Sequence, residues 1–285
     1  MLNVTWACRY WVKSTSMTSF VDTHCHGIPK VDDGVQSDDA ALLMLKHAVE
    51  SQIRLVFMTP HVIKEGRFYP DKALLNRKIK HLQKQIKDND LDIQVKLGCE
   101  IMITPESLKM IQEKDYWGYQ DTDYVLIEFM PPFEENLIQD ALYELKRQNK
   151  RVLIAHPERY FSEPKIAIER VKAWKETGAF MQVNKSSLFI SKKASNRKNA
   201  LALIENNLVS IMATDAHHAP GKRECRLMAG YMELRRLYGT ETAELLCSIN
   251  PTLLSENKDL QMTSVSNGLF TRMIRALRSQ KIPKP

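Results

Sequence analysis

Two histidines two residues apart, with carboxylates close behind, are where this chain could first do chemistry. In Asp22-Thr23-His24-Cys25-His26-Gly27-Ile28-Pro29-Lys30-Val31-Asp32-Asp33-Gly34, an apolar lead of Phe20 and Val21 runs into a polar loop. That is the pattern of a short buried strand and its exit. On a strand, His24 and His26 point to the same side. Asp33 follows within loop reach and adds a hard carboxylate oxygen to two imidazole nitrogens. Such a mixed donor set suits zinc, manganese, iron or cobalt. Taken alone, the pair fits equally well a turn in which both imidazoles are satisfied by backbone carbonyls.

What separates these readings is the set of elements that must position the remaining polar residues. Ser37 reads as an N-cap with Asp38 and Asp39 in the first turn, ahead of a helix lined by Ala41, Leu45, Ala48 and Val49. A strand from Arg54 ends on His61, and a helix carries Leu75, Ile79, Leu82 and Ile86 on one side. Ile93 to Cys99 ends on Glu100, and Tyr124 to Ile127 runs into Glu128. A helix with Leu137, Ala141 and Leu145 precedes Val152 to Ala155, which ends on His156. Pro164 suits the first turn of a helix bearing Ala167, Val171 and Trp174, with Gly178 past its end. Ala179 to Val183 runs into Asn184, and Val209 to Thr214 ends on Asp215, with helices expected near Glu224 and Thr240.

Seven apolar strands alternating with helices predict an α/β fold with a parallel sheet buried on both faces. In a parallel α/β barrel the carboxyl ends of all strands share one face, so residues from His24 to His217 would converge there. His24, His26, His61, His156 and His217 sit at or just past strand ends, whereas His47 and His81 fall on helices and read as surface residues.

Composition sets the class. The chain has 285 residues, 44% hydrophobic and 26% charged, ordinary for a soluble globular protein and enough for one large barrel. No run reaches the ~18 apolar residues of a membrane span. Arg9 and Lys13 break up the apolar character of the amino terminus, which makes a poor secretory signal. Five scattered cysteines argue for a reducing cytoplasm over a disulfide framework. A net charge of +7 favours an anionic partner without identifying one, and no nucleic-acid motif accompanies it. Residues 1–17 match no periodic template and form an extension, with Met17 a candidate start. Residues 18–254 form the barrel and 255–285 a basic tail.

His24-Cys25-His26, Asp32-Asp33-Gly34, Thr59-Pro60-His61, Gly98-Cys99-Glu100, His156-Pro157-Glu158-Arg159 and Thr214-Asp215-Ala216-His217 follow, in order, the motifs of the polymerase-and-histidinol-phosphatase (PHP) superfamily. The Asp-Asp-Gly loop, Leu126-Ile127-Glu128-Phe129, the His-Pro-Glu-Arg stretch and Gln182-Val183-Asn184 resemble its manganese-dependent protein-tyrosine phosphatases of bacterial capsule and exopolysaccharide synthesis. The resemblance covers about Phe20 to Leu254, including Asn250-Pro251. It implies a distorted seven-stranded (β/α) barrel of the PHP type with a cluster of up to three divalent ions, manganese first and iron, cobalt or zinc as alternatives. It places His24 and His26 on one ion with Glu100 bridging to a second, and Asp33, His61, His156, Asp215 and His217 completing the cluster. Val62 and His218 depart from common family residues, and Gly221-Lys222-Arg223 alters the spacing of the second arginine.

The chemistry agrees with that donor set. Clustered divalent ions acidify a water towards pH 7 for attack on phosphorus and clamp the phosphoryl oxygens. Arg159 and Arg223 would bind the remaining oxygens through their forked guanidinium donors. A phenolate leaves readily, with a conjugate acid near pH 10, so no strong general acid is needed. None of the cysteines has the arginine six residues later that a thiolate phosphatase requires. Cys25 and Cys99, each next to an expected ligand on a strand, turn to the opposite side as core residues. Asn184 and Glu128 end strands without a firm ligand assignment: each is a candidate for a substrate contact or for supporting a ligand from behind, with a structural hydrogen bond an equal alternative. Lys185, Ser186 and Ser187 could also face a substrate.

Three functions fit. The first is a phosphatase acting on phosphotyrosine in a membrane-associated bacterial tyrosine kinase. The others are a small-molecule phosphatase resembling those for histidinol phosphate, and a non-catalytic kinase-binding scaffold, against which the full ligand set weighs. In the tail, Leu269, Met273 and Leu277 recur at helical spacing among Arg272, Arg275, Arg278, Lys281 and Lys284. Such a basic amphipathic helix can lie on an anionic membrane, although docking of its apolar side on the barrel is the commoner arrangement.

Overall fold

The computed structural model describes residues 19–132, 134–189, 194–219, 221 and 223–265. The amino-terminal extension and the basic helix expected at Leu269 to Leu277 lie outside the described residues.

The described residues form nine strands and nine α-helices. The strands are β1 (Phe20–Cys25), β2 (Ile53–Met58), β3 (His61–Val62), β4 (Gln94–Leu97), β5 (Glu100–Met102), β6 (Tyr124–Glu128), β7 (Arg151–Ala155), β8 (Phe180–Asn184) and β9 (Ile211–Ala213). The helices are α1 (Asp38–Glu50), α2 (Lys72–Asp88), α3 (Pro105–Gln112), α4 (Glu135–Arg147), α5 (Pro164–Glu176), α6 (Ala194–Glu205), α7 (Met228–Tyr238), α8 (Thr240–Glu244) and α9 (Asn250–Ser255).

All strand pairings are parallel, in the orders β1-β2-β4 and β3-β5-β6-β7-β8-β9. The fold is therefore α/β with parallel sheets, but the strands number nine in two sheets rather than the expected seven in one. Two long apolar runs are interrupted. Pro60 has no N–H to give the ladder, so the run from Ile53 stops at Met58 and resumes at His61. Opposite it, the run from Gln94 stops at Leu97 and resumes at Glu100. Gly98 N–H still donates to Met58 O (2.7 Å) and Glu100 N–H to Pro60 O (3.0 Å) across the gap. On the other side β1 meets the end of β9: Asp215 N–H donates to His24 O and His26 N–H to Ala216 O, both at 2.8 Å.

Helix faces follow the apolar spacing. Ser37 caps α1, its hydroxyl accepting from Ala40 N–H, and Ala41, Met44, Leu45 and Ala48 are buried. Leu75, Ile79, Leu82 and Ile86 are the buried side of α2, and Ala167, Val171 and Trp174 that of α5. Gly178 follows α5 with φ +99°, a turn that a Cβ would strain. α7 begins at Met228, later than the start expected near Glu224, and α3 appears where no helix was expected. His81 is exposed as expected, whereas His47 is half-buried. Its side chain is 14% exposed and faces Glu224 at 3.7 Å. Past residue 254 the chain stays on the body. Leu260 and Val265 are buried, Tyr124 donates to Lys258 O (2.7 Å) and Val265 N–H to Asn207 Oδ1 (2.6 Å).

Candidate metal centre

The carboxyl ends of the strands bring the expected residues into one cluster. His24 and His26 project from β1 to the same side, their Nε2 atoms 3.1 Å apart. Glu100, at the start of β5 after the break, lies at the middle. Its Oε2 is 3.2 Å from His24 Nε2, 3.3 Å from His26 Nε2 and 3.1 Å from His61 Nδ1, while Oε1 is 2.9 Å from His156 Nε2. Asp215 Oδ1 is 3.5 Å from both His24 and His26. Asp33 Oδ1 lies 3.3 Å from His217 Nε2 and 3.4 Å from His61 Nε2. All eight expected ligands are thus gathered, and Glu128 joins them, its Oε1 2.9 Å from His61 Nδ1.

The donor atoms form overlapping groups of metal-binding size: His24, His26 and Asp215; His24, Glu100 and His156; His61, Glu100 and Glu128; and His26, Asp33, His61 and His217. Whether these residues suit an ion is tested by their lone pairs. His61 Nδ1, Glu100 Oε2, Glu128 Oε1 and His217 Nε2 are buried and have no hydrogen-bond partner, although they lie close to one another. Buried polar atoms are nearly always paired. Imidazole nitrogens and carboxylate oxygens crowded together at this spacing are the arrangement a cation stabilises, and these donors are those of a transition-metal site. A neutral imidazole has a single lone pair, so His61, with a nitrogen towards each of two groups, serves one of them at a time.

Outer hydrogen bonds fix the tautomers. Asp32 Oδ2 accepts from His26 Nδ1 at 2.7 Å, and Gln182 Oε1 from His24 Nδ1 at 2.9 Å, which leaves both Nε2 lone pairs for the cluster. Asp32 also accepts from Gly34 N–H (2.9 Å) and His61 N–H (3.1 Å). The loop can fold back this tightly because residue 34 is glycine. A Cβ there would sit 2.1 Å from His26 O. His156 and Asp215 leave their strands with φ of +33° and +52°, left-handed turns that cost on the order of 1 kcal/mol or more for such residues.

Charge is balanced among these groups. Burial acts to raise Glu100, but the imidazoles of His24 and His61 and the hydrogen bond with His156 outweigh it and hold the carboxyl well below its usual range. Burial acts to lower His24, yet Glu100 and Asp215 push it up to about 9. His61 is raised well beyond the usual imidazole value by Glu100, Asp33 and Glu128 against the opposing effect of burial. His217 is pushed down to about 4, chiefly by burial, with the nearby Asp33 carboxylate opposing.

Both arginines reach the cluster through Asp215. Arg159 donates to Asp215 Oδ2 at 2.9 Å; Arg223 donates to Asp215 O at 3.0 Å and to Oδ1 at 2.5 Å. Their side chains are 40% and 31% exposed. Of the roles open to Asn184, its geometry is that of a hydrogen-bonded support for Asp215. It is buried, and its amide donates to Asp215 Oδ2 at 2.6 Å while accepting from Gln182 at 2.8 Å. Lys185 and Ser187 also turn inward, to Arg226 O (2.7 Å) and Glu158 Oε1 (2.6 Å). Cys25 and Cys99 are buried in the apolar core, as their alternation predicts. The residues that sequence reasoning left without a role are Asp32 and Gln182, and it left Glu128 without a firm ligand assignment. Glu128 carried the same signal as the others, a carboxylate ending an apolar strand.

The family description "Capsular polysaccharide synthesis, CpsB/CapC" matches residues 20–255. The tyrosine-protein phosphatase YwqE of Bacillus subtilis is 29% identical over 245 residues, covering 84% of this chain and 90% of that one. The putative tyrosine-protein phosphatase CapC of Staphylococcus aureus is 30% identical over 200 residues, 69% and 76% of the two chains. Among solved structures, one from a study of B. subtilis YwqE and Streptococcus pneumoniae CpsB, described as metal-dependent tyrosine phosphatases, superposes with a TM-score of 0.77 at 28% identity. It covers 86% of this chain and 98% of its own. With nearly the whole described body inside the match, the chain belongs to the CpsB/CapC family of capsular polysaccharide synthesis.

Proposed function

We propose that this protein is a metal-dependent protein-tyrosine phosphatase whose substrate is a membrane-associated bacterial tyrosine kinase governing capsule or exopolysaccharide synthesis. The observation that carries the reading is the convergence of eight imidazole and carboxylate side chains, with Glu128, beneath two arginines. His24, His26 and Asp215 would hold one ion, His61, Glu100, Glu128 and His156 a second, and Asp33 and His217 a third, with manganese the first choice. When bound, such ions acidify a water and neutralise phosphoryl charge.

The chain's own residues do the rest. Asp32 and Gln182 keep His24 and His26 in the tautomer that presents Nε2. Arg159 and Arg223, anchored on Asp215, keep further guanidinium donors for phosphoryl oxygens. The phenolate of tyrosine leaves without a strong acid, having a conjugate acid near pH 10.

The cluster's outer members favour a protein-borne substrate over a small buried one. Asp33 is 52% exposed and Arg159 40%, so the site opens at the surface. Among the described residues no helix is long and apolar enough to cross a membrane. We read the enzyme as working in the cytoplasm on the kinase's tail, with the basic sequence from Arg272 to Lys284 contacting the membrane or the barrel. We also read the nine strands as seven staves of a distorted PHP-type barrel spanning residues 18–254. Met58 pairs with Leu97 and His61 with Glu100, so one register runs through both breaks.

The test is a panel of phosphotyrosine peptide, phosphoserine peptide and histidinol phosphate with manganese present. Preference for the first is expected. Preference for histidinol phosphate would replace the reading with a small-molecule phosphatase, and no turnover of any would leave a scaffold.

A further inference from the structure

The rim of the metal centre carries an aromatic ring that phosphate chemistry does not use. Phe68 lies partly exposed on the loop between β3 and α2, and its ring stacks on His61. The centroids are 5.9 Å apart and the planes 17° from parallel. The loop is shaped by its own backbone, with Ile63 N–H donating to Phe68 O (2.6 Å) and Gly66 N–H to Ile63 O (2.9 Å). Arg67 places its guanidinium carbon 5.1 Å from the Phe68 ring centre, and Lys64 lies 4.3 Å over the Tyr69 ring. His61 is one of the few cluster members that reach the surface: its side chain is 15% exposed, against 0% for His24, His26 and Glu100. A carrier that leaves the cluster past His61 would run alongside Phe68.

We infer that Phe68 is a specificity-determining residue that selects aryl over alkyl phosphates by packing against the ring of the substrate. The inference rests on the phosphatase reading and names the feature of the substrate that the rim recognises. Aromatic pairs gain energy beyond the area they bury, and an alkyl phosphate offers no ring for that contact. Phe68 touches no phosphoryl oxygen and holds no ion, so its contribution falls on the carrier alone. The positive charge of Arg67 and Lys64 borders the same rim and is not part of the selection.

The experiment separates ring recognition from support of His61. Binding of phenylphosphonate and methylphosphonate to the manganese-loaded protein is measured for wild type, Phe68→Ala, Phe68→Leu and Phe68→Tyr, with metal content alongside. Phe68→Ala should weaken phenylphosphonate about tenfold, equal to ~1.4 kcal/mol, and leave methylphosphonate within about twofold. Phe68→Leu should follow Phe68→Ala, Phe68→Tyr should keep the wild-type preference, and manganese content should not change. Equal weakening of both ligands, lost metal, or no aryl preference in wild type would overturn the inference. Aryl preference without turnover of a phosphotyrosine peptide would instead leave Phe68 in its role and overturn the phosphatase reading.

Discussion

Asp32→Asn is the perturbation that best isolates how the metal centre is held, because Asp32 is one atom layer behind the ligands. Its Oδ2 accepts from His26 Nδ1 at 2.7 Å and from His61 N–H at 3.1 Å, and its Oδ1 from Gly34 N–H at 2.9 Å. Every partner is a donor, so both carboxylate oxygens must accept. An asparagine has one accepting oxygen and one donating nitrogen. If its nitrogen faces His26, that imidazole must accept at Nδ1 and carry its proton on Nε2, which removes the lone pair aimed at the cluster. If its nitrogen faces Gly34, two N–H groups oppose each other and the loop carrying Asp33 is pushed off the strand end. Losing such an outer-shell partner costs about 10- to 100-fold in metal affinity, or ~1.4–2.7 kcal/mol. Calorimetric titration with manganese should show that loss, and saturating manganese should restore most of the turnover because every direct ligand remains. Unchanged affinity would refute the orienting role. Turnover that stayed lost at full occupancy would mean that Asp32 acts in the reaction beyond orienting His26.

Glu100→Gln should lose both bound metal and activity, since a neutral amide cannot serve the four imidazoles that approach this carboxylate; normal metal content by elemental analysis would contradict the cluster. Arg159→Lys should keep the metal and slow turnover at least about tenfold, ~1.4 kcal/mol of barrier, because a point charge replaces a planar fork. The sequence suggests a smaller effect for Arg223→Lys, but its two bonds to Asp215 make a similar loss the expectation, read from steady-state kinetics with metal content as control. In the metal-free protein His24 is raised to about 9 and His61 further, so the stability they confer is present below about 6.5 and is lost as pH rises through about 9. Metal must displace those protons, so manganese binding at pH 7 should release protons, measured as a buffer-dependent heat, and affinity should increase with pH. A heat that does not depend on the buffer would show the imidazoles to be neutral already.

The members of the cluster were legible because topology does the gathering. A parallel strand has one carboxyl end, and its apolar run marks where that end falls. His61, Glu100, His156 and Asp215 could therefore be assigned to one face although they lie far apart in the chain. The same alternation turned Cys25 and Cys99 inward. Where the run is broken without a change in apolar content, the pattern misleads. Arg54 to His61 reads as one strand, and only the missing N–H of Pro60 signals the two-residue gap that the structure shows. The short helix α3 escaped for a related reason. Its eight residues bury only Ser107, Met110 and Ile111, too few for a period, and its signal was the capping pair of Thr104 and Ser107.

The orienting residues were illegible for a different reason, which the Asp32–Asp33 pair makes plain. Both are carboxylates, adjacent in one loop, and either could have been assigned to the metal from its type. Which one faces the cluster is decided by how the loop returns. Val35 N–H donates to His26 O at 3.1 Å, Gly34 packs against the same carbonyl, and the turn sends Asp32 behind His26 and leaves Asp33 beside His217. Gln182 shows the same limit, and so does Asn184 as to its partner, since a strand-end amide suggests support of a ligand without saying of which one. They occupy one side of β8, and their roles come from His24, 158 residues earlier, and Asp215, 31 residues later. A ligand is announced by its own chemistry at a strand end. A residue that orients a ligand is defined only by the partner it meets, and that meeting is fixed by register and loop closure, which no single stretch of sequence contains.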